Sequence, residues 1–338
     1  MKKITVKSPA NIAFIKYWGQ TKQNLFIPRN NNISMTLSNC QTITTIQSDP
    51  KLKEDIIKIQ KGDKYSPLLK DTHKGKNAYE QINRIRKLAK SKNHVHIRSK
   101  NTFPSDAGIA SSASGFSALT GALLLAFDQR KIFDDKKEFS KEVRLCGSAS
   151  AARSVYGGFV ELLTGNSHDE SYAVQIADEK SWDLVDIVTI VSSEKKKTSS
   201  SQGHAAVDSS PYYKTRLAEM QPRIKTTREA ILAKDIRKLG VCTEEDTISL
   251  HIVMMSSKPP AYYWEPGTIA VMKAVMNWRE ADNIQAYFSI DAGANVHVIC
   301  EKKDAKKVEK RLQAIPFVKS TIYNEPCAGT HEITKHLF

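Results

Sequence analysis

An apolar segment, SALTGALLLAF (Ser117–Phe127), follows directly on a run of small residues, FPSDAGIASSASGF (Phe103–Phe116). The apolar part is long enough and apolar enough to be a buried helix, and only a layered fold covers such a helix. Upstream, HVHIRSKNTF alternates like a half-buried strand, so strand, small-residue loop and buried helix form one unit. The backbone of that loop can approach a ligand closely: Gly108 can take positive φ, Ala107 and Ala110 keep the wall low, and Ser111, Ser112 and Ser114 add hydroxyl donors. Backbone N–H groups converging at a helix start hold phosphate without a positive side chain. The spacing is neither a Walker A nor a GxGxxG. Two readings stand side by side, a phosphate cradle and a tightly packed helix start capped by serines.

With 338 residues, 40% of them apolar, the chain has ample material for one large domain or two of ordinary size. Its net charge of +15 suggests an anionic partner. The lysines are spread along the chain, however, as solvated faces are, and no zinc finger, aromatic RNA-binding signature or basic zipper accompanies them. The five cysteines are odd in number, far apart and without CxxC, which argues against a disulfide framework and structural zinc and fits a reducing cytoplasm. The start MKKITVKSPANIAFI alternates polar with apolar and reads as a first strand, not a signal peptide. No apolar run approaches a membrane span of about 18 residues.

Further strands are expected in NISMTLSNCQTITTIQS, GGFVELLTG, YAVQIAD and LVDIVTIVSS, and helices in YEQINRIRKLAK, KKEFSKEVRLCG and SASAARSVYG. A Ser/Lys-rich connection from Glu194 to His204 leads to helices near Tyr212–Lys234 and Thr268–Glu280. IQAYFSI and NVHVICE form a strand pair around DAGA, and KKDAKKVEKRLQAI is a surface helix. The irregular alternation is that of an α+β chain with a seam near residues 180–205.

PSDAGIASSASGF resembles the second motif of the GHMP kinase superfamily. SPANIAFIKYWGQ, IPRNNNISMTL, the loop, GSASAARSVYGGFVE, YAVQIAD, SSSQGH and YFSIDAGANVHVI resemble, in that order, the blocks of mevalonate diphosphate decarboxylases. The resemblance spans nearly the whole chain and is loose near residues 50–76 and 236–262. It implies a two-lobed GHMP-kinase-like fold with mixed and antiparallel sheets flanked by helices and an active site in the cleft. The implied lobes are an ATP-binding one over residues 1–185 and one over 186–338 that supplies the catalytic aspartate. The implied reaction is ATP- and Mg2+-dependent decarboxylation of (R)-5-diphosphomevalonate to isopentenyl diphosphate, in a cytoplasmic homodimer without membrane or nucleic-acid partners.

Residue by residue, the resemblance makes Asp291 the group that orients or deprotonates the C3 hydroxyl; DAGA read alone is a hairpin turn. Arg153 becomes the clamp on the substrate carboxylate, which suits a planar guanidinium fork; a surface ion pair is the plain alternative. Lys16, otherwise a snorkelling strand-end lysine, falls beside the transferred phosphate, with Tyr17 and Trp18 as pocket wall. Ser148 and Ser150 match positions near substrate and ATP phosphates, with helix capping as the alternative. Ser200 matches a serine that closes over substrate. Asn101 matches a nucleotide position, and Pro104, Asp106, Ala107, Gly108, Ile109, Ala110, Ser111, Ser112 and Ser114 make up the nucleotide loop, with Ser112 near Mg2+.

Two positions depart from the family pattern. Gln20 stands where KYWGK has its second lysine, removing a charge beside the substrate phosphates; Arg29, or Lys74 and Lys76, could replace it. Asp106 stands where alanine is common and either helps hold Mg2+ or favours the helix start. The loss at Gln20 leaves a 5-phosphomevalonate decarboxylase, giving isopentenyl phosphate, as the runner-up. A non-catalytic anion- or nucleic-acid-binding protein on the same fold is the alternative of another class.

Overall fold

The computed structural model describes residues 3–104, 111–194 and 198–338. Its spine is the long strand β4 (Asn32–Asp49), whose two edges carry different neighbours. One edge pairs along its length with β1 (Lys3–Ile15), and the other pairs first with β8 (Phe159–Leu162) and then with β7 (His94–Asn101), all antiparallel. Beyond β7 lie β5 (Ile56–Lys61), parallel to it, and β6 (Lys64–Pro67); β9 (Ala173–Ala177) extends from β8. The hairpin of β2 (Gln20–Lys22) and β3 (Ile27–Pro28) stands apart.

The apolar segment forms α2 (Ser111–Ala126), packed on β1 and β4 with Leu119, Ala122, Leu123 and Leu124 buried against Val6, Ile46 and Ile97. A β-carbon on Gly121 would lie 2.9 Å from the Phe133 ring and 3.0 Å from that of Phe139, so the glycine lets α3 (Arg130–Asp134) and α4 (Lys136–Arg144) close over the helix. Around it stand α1 (His73–Leu88) and the short α5 (Ala149–Ala152).

The second sheet runs β11–β12–β10–β13, with β10 (Leu184–Ile190), β11 (Ala286–Ser289), β12 (Val296–Glu301) and β13 (Ser320–Asn324) all antiparallel. On one face α9 (Pro266–Asp282) and α10 (Lys302–Gln313) bury Val271, Val275, Val308 and Leu312 against Val185, Ile187, Val298 and Cys300. On the other, α7 (Tyr213–Ala233) and α8 (Ile236–Ser256) join the sheet to β4, so that Ile33, Met35, Cys40, Val188, Ile224, Leu239 and Tyr287 share one core. The two sheets thus share a continuous apolar interior, and the α+β, GHMP-kinase-like layering expected from the sequence is present. The last strand, β14 (His331–Ile333), returns to pair with β1.

The structure adds elements the pattern did not assign. The 50–76 region holds the β5–β6 hairpin, and 236–256 is the 21-residue helix α8. The Ser/Lys-rich connection contains α6 (Ser200–Ala206), whose start is fixed by a capping box between Ser199 and Gln202. SASAARSVYG is helical only over Ala149–Ala152. All five cysteines are free.

Candidate active site

The strand β1 ends in a lysine pinned from both sides. The Lys16 backbone N–H donates to Asp246 Oδ2 (2.8 Å), and its carbonyl accepts from Arg216 Nη2 (3.0 Å) and Asn30 Nδ2 (3.1 Å). Asp246 and Arg216 are themselves a buried ion pair (2.9 Å) linking α8 to α7. The ammonium is turned inward, donating to the Ala13 carbonyl (2.9 Å) and to Ser289 Oγ (2.6 Å). With 4% of its surface exposed it is no snorkelling side chain. Burial pulls its pKa below the lysine range, while the charges of Asp291 and Asp246 act in the opposite direction.

Arg153 follows α5 and is 3% exposed. Its guanidinium donates to Ser34 Oγ (2.8 Å), Asn32 Oδ1 and Asn11 Oδ1 (2.9 Å). All three acceptors are neutral, so the fork is held in place without being neutralised. Burial lowers its pKa to about 10, against the opposing influence of Tyr17 and Asp291. A buried cation oriented by neutral oxygens is a poor structural strut and a good anion receptor.

Asp291 opens the loop between β11 and β12, so the turn read from DAGA is real. Other groups hold that loop. His251, whose burial pushes its pKa down to about 3, points Nε2 at the Ile290 carbonyl (3.4 Å). Thr268 Oγ1 donates to the Ala294 carbonyl (2.6 Å), and Asn295 Oδ1 accepts from the N–H groups of Val191 (2.8 Å) and Ser192 (3.0 Å). The half-buried Asp291 carboxylate makes no side-chain hydrogen bond among the described residues, yet its charge acts on Lys16, Tyr17, Arg153 and His297. One carboxylate therefore lies near two buried basic side chains, Lys16 and Arg153.

Tyr17 and Trp18 continue from Lys16. The Tyr17 phenol is raised by burial, and the Trp18 carbonyl accepts from the Tyr213 hydroxyl. Ser148 and Ser150 share a hydrogen bond (2.8 Å) at the start of α5, and Gly147 before them packs on Asn77 of α1. Lys74 and Lys76 lie exposed in the first turns of that helix.

Asn101 ends β7 and accepts from Thr42 Oγ1 (2.8 Å), which also bonds Ser114 Oγ (2.7 Å), tying strand ends to the start of α2. Ser112 is half-buried there and Pro104 exposed. Asp106, Ala107, Gly108, Ile109 and Ala110 lie outside the described residues, as does the side chain of Ser111.

At the rim, Gln20 sits in the β2–β3 hairpin and Arg29 follows it. Both Arg29 Nη atoms pair with the Asp208 carboxylate, and its Nε donates to the Gln20 carbonyl (3.3 Å). Its charge is therefore matched within the protein, and it does not stand as a bare substitute for the lysine that Gln20 replaces. Ser200 begins α6, which packs against Tyr17 and Trp18.

Sequence reasoning passed over Asn11, Asn32 and Ser34, which orient the guanidinium, and Ser289, Asp246 and Arg216, which fix the lysine. Polar residues at inward strand positions, as in SPANIAFI and YFSI, were the available signal.

Two buried basic side chains, Lys16 and Arg153, thus lie near one acid, Asp291, on an α+β scaffold of two packed sheets. A model of the diphosphomevalonate decarboxylase-like N-terminal domain matches residues 8–173, and one of the mevalonate 5-diphosphate decarboxylase C-terminal domain matches residues 186–335. The chain is 35% identical to a diphosphomevalonate decarboxylase of Candida albicans, over 97% of this chain and 94% of that protein. It is 30% identical to a phosphomevalonate decarboxylase of Haloferax volcanii, over 92% of each. A solved structure described as "MDDEF in complex with MVAPP, AMPPCP and Magnesium" superposes with a TM-score of 0.88 at 30% identity, covering 98% of this chain and 99% of that one. The chain belongs to the diphosphomevalonate decarboxylase family. Among the described residues no helix is long and apolar enough to cross a membrane.

Proposed function

We propose that the protein converts (R)-5-diphosphomevalonate and ATP to isopentenyl diphosphate, ADP, phosphate and CO2. The observation that carries this reading is the buried Arg153 fork, oriented among the described residues by neutral acceptors, near an Asp291 carboxylate that makes no side-chain hydrogen bond among those residues. Arg153 binds the substrate carboxylate through two of its donors and keeps it fixed until the C–C bond breaks. Asp291 accepts the hydrogen bond of the C3 hydroxyl and orients or deprotonates it for attack on the γ-phosphate. Lys16, desolvated beside Asp291, stabilises the negative charge on the phosphoryl group during transfer and departure. Tyr17 and Trp18 wall the site, Ser148 and Ser150 donate to substrate and phosphate oxygens, and Ser200 closes over the substrate.

Asn101, Ser112, Ser114 and the loop from Pro104 through Ser111 hold ATP. Among the described residues no cluster of three acidic, His or Cys side chains could hold a metal. Mg2+ binds chiefly through substrate phosphates and water with few protein ligands. Ser112, with Asp106, would supply the protein oxygens, and the bound ion would supply positive charge against the phosphates. The N-terminal lobe extends to residue 185 and the C-terminal lobe from 186. A cytoplasmic homodimer rests on the family resemblance alone.

Asp291→Ala should abolish ADP and CO2 release and leave ATP binding within about threefold, since no described ATP-side residue touches Asp291; retained turnover would remove the aspartate from its role. A second reading, use of 5-phosphomevalonate, is favoured by the neutral Gln20 and by the pairing of Arg29 with Asp208.

A further inference from the structure

Helix α6 carries Ser200 at its first position and His204 one turn later. The His204 ring lies 4.1 Å from that of Trp18 and stacks on Tyr17 at 5.0 Å, with 21° between the planes. Its Nδ1 accepts a hydrogen bond from the backbone N–H of Gly19 (2.9 Å). That donor fixes the neutral tautomer, because Nδ1 needs a lone pair to accept. The contact between helix and wall is tight: a β-carbon on Gly203 would come within 2.3 Å of the Trp18 ring. Both flanks of the helix are anchored separately. Tyr263 donates to the Thr198 carbonyl (3.2 Å) on one side, and Asp208 pairs with Arg29 on the other.

We propose that His204 is a positioning residue, a latch whose neutral imidazole docks the helix bearing Ser200 onto the Tyr17–Trp18–Gly19 wall and releases it on protonation. An imidazolium has two donors and no acceptor, so protonation at Nδ1 replaces the Gly19 bond with two opposed donors. Among the described residues, the groups near the ring are the Tyr17 phenol and, beside Gly19, the Tyr213 phenol and the Arg29–Asp208 pair, with Arg153 and Asp291 acting on Tyr17 from behind. The step is docking alone, and its consequence for turnover rests on the reading of Ser200 as the serine that closes over substrate.

The test uses His204→Ala and His204→Asn in the full chain. Asn places Oδ1 where Nδ1 was and accepts from Gly19 at every pH. In ligand-free protein, hydrogen exchange of the Gly19 amide at fixed pH should quicken at least about tenfold in the Ala variant and stay near wild type in the Asn variant, as loss of one hydrogen bond implies. With substrate, kcat/KM should fall about tenfold in the Ala variant and recover in the Asn variant. The acid-side fall should move to lower pH in the Asn profile, where Asp291 still titrates but the latch no longer does. Unchanged Gly19 exchange in His204→Ala overturns the latch, as does an acid limb that stays at the wild-type pH in His204→Asn. The exchange result stands even if no mevalonate derivative is turned over, so the latch and the proposed reaction fail separately.

Discussion

Replacing Arg153 by glutamine separates an anion receptor from a structural strut. The buried guanidinium has a pKa near 10, well below that of an unfolded arginine. The folded value is the lower one, so the unfolded chain holds the proton more firmly. Folding is penalised below pH 10 and relieved above it. A shift of that size amounts to about 3 kcal/mol at neutral pH. Arg153→Gln removes the penalty but strands acceptors on Asn11, Asn32 and Ser34, of which the glutamine amide can rejoin one. Two unmatched acceptors cost about 2 kcal/mol together. The ligand-free variant should therefore match wild type or exceed it by about 1 kcal/mol, a rise of about 2 °C at most for a chain of this size. Turnover should behave oppositely, with kcat/KM down by roughly 10²- to 10³-fold, as expected for loss of a desolvated charge-assisted contact. Thermal and urea unfolding without ligand, alongside ADP and CO2 release, read both effects. A strut would lose about 3–5 kcal/mol on truncation. Such a loss, with kcat/KM within about threefold of wild type, would refute the receptor argument.

Further outcomes follow from neighbouring groups. Lys16 has a lowered folded pKa, so between that value and the ordinary lysine range folding stability should rise with pH in wild type relative to Lys16→Met, measured by urea unfolding at stepped pH. Asp246→Asn leaves Arg216 buried and unmatched and should cost about 3–5 kcal/mol in the same assay. Gly203→Ala forces a methyl into the Trp18 ring; kcat/KM should fall by about tenfold or more while the melting temperature changes little, as expected for a local displacement. If Asp106 assists Mg2+, Asp106→Ala raises the Mg2+ concentration for half-maximal rate, and an unchanged titration returns it to a helix-start role.

The sequence displayed what local chemistry determines and hid what distant contacts determine. Helix α2 was legible because Ala122–Phe127 is an unbroken apolar run, and the β11–β12 loop because DAGA is turn chemistry. Helix α8 was not, since its buried face carries Thr243, Asp246, Thr247 and His251, which blur any apolar period. Helix α6 hid in SSSQGH, whose composition is that of a connection until the Ser199–Gln202 capping box forms. At the site, Asp291, Arg153 and Lys16 could be named from the blocks they sit in. The acceptors that hold Arg153 could not, because Asn11, Asn32 and Ser34 reach it across more than a hundred residues of chain. Arg29 looked like a spare charge for the same reason: its partner Asp208 lies 179 residues away.

The central claim is that this site transfers a phosphoryl group to C3 and then expels CO2 from the same substrate. It is tested most directly by presenting mevalonate, its 5-phosphate and its 5-diphosphate side by side with MgATP and scoring ADP and CO2 separately. The account predicts equal amounts of ADP and CO2, with the 5-diphosphate preferred. ADP without CO2 from every substrate would contradict it, because a kinase has no need of the carboxylate fork at Arg153.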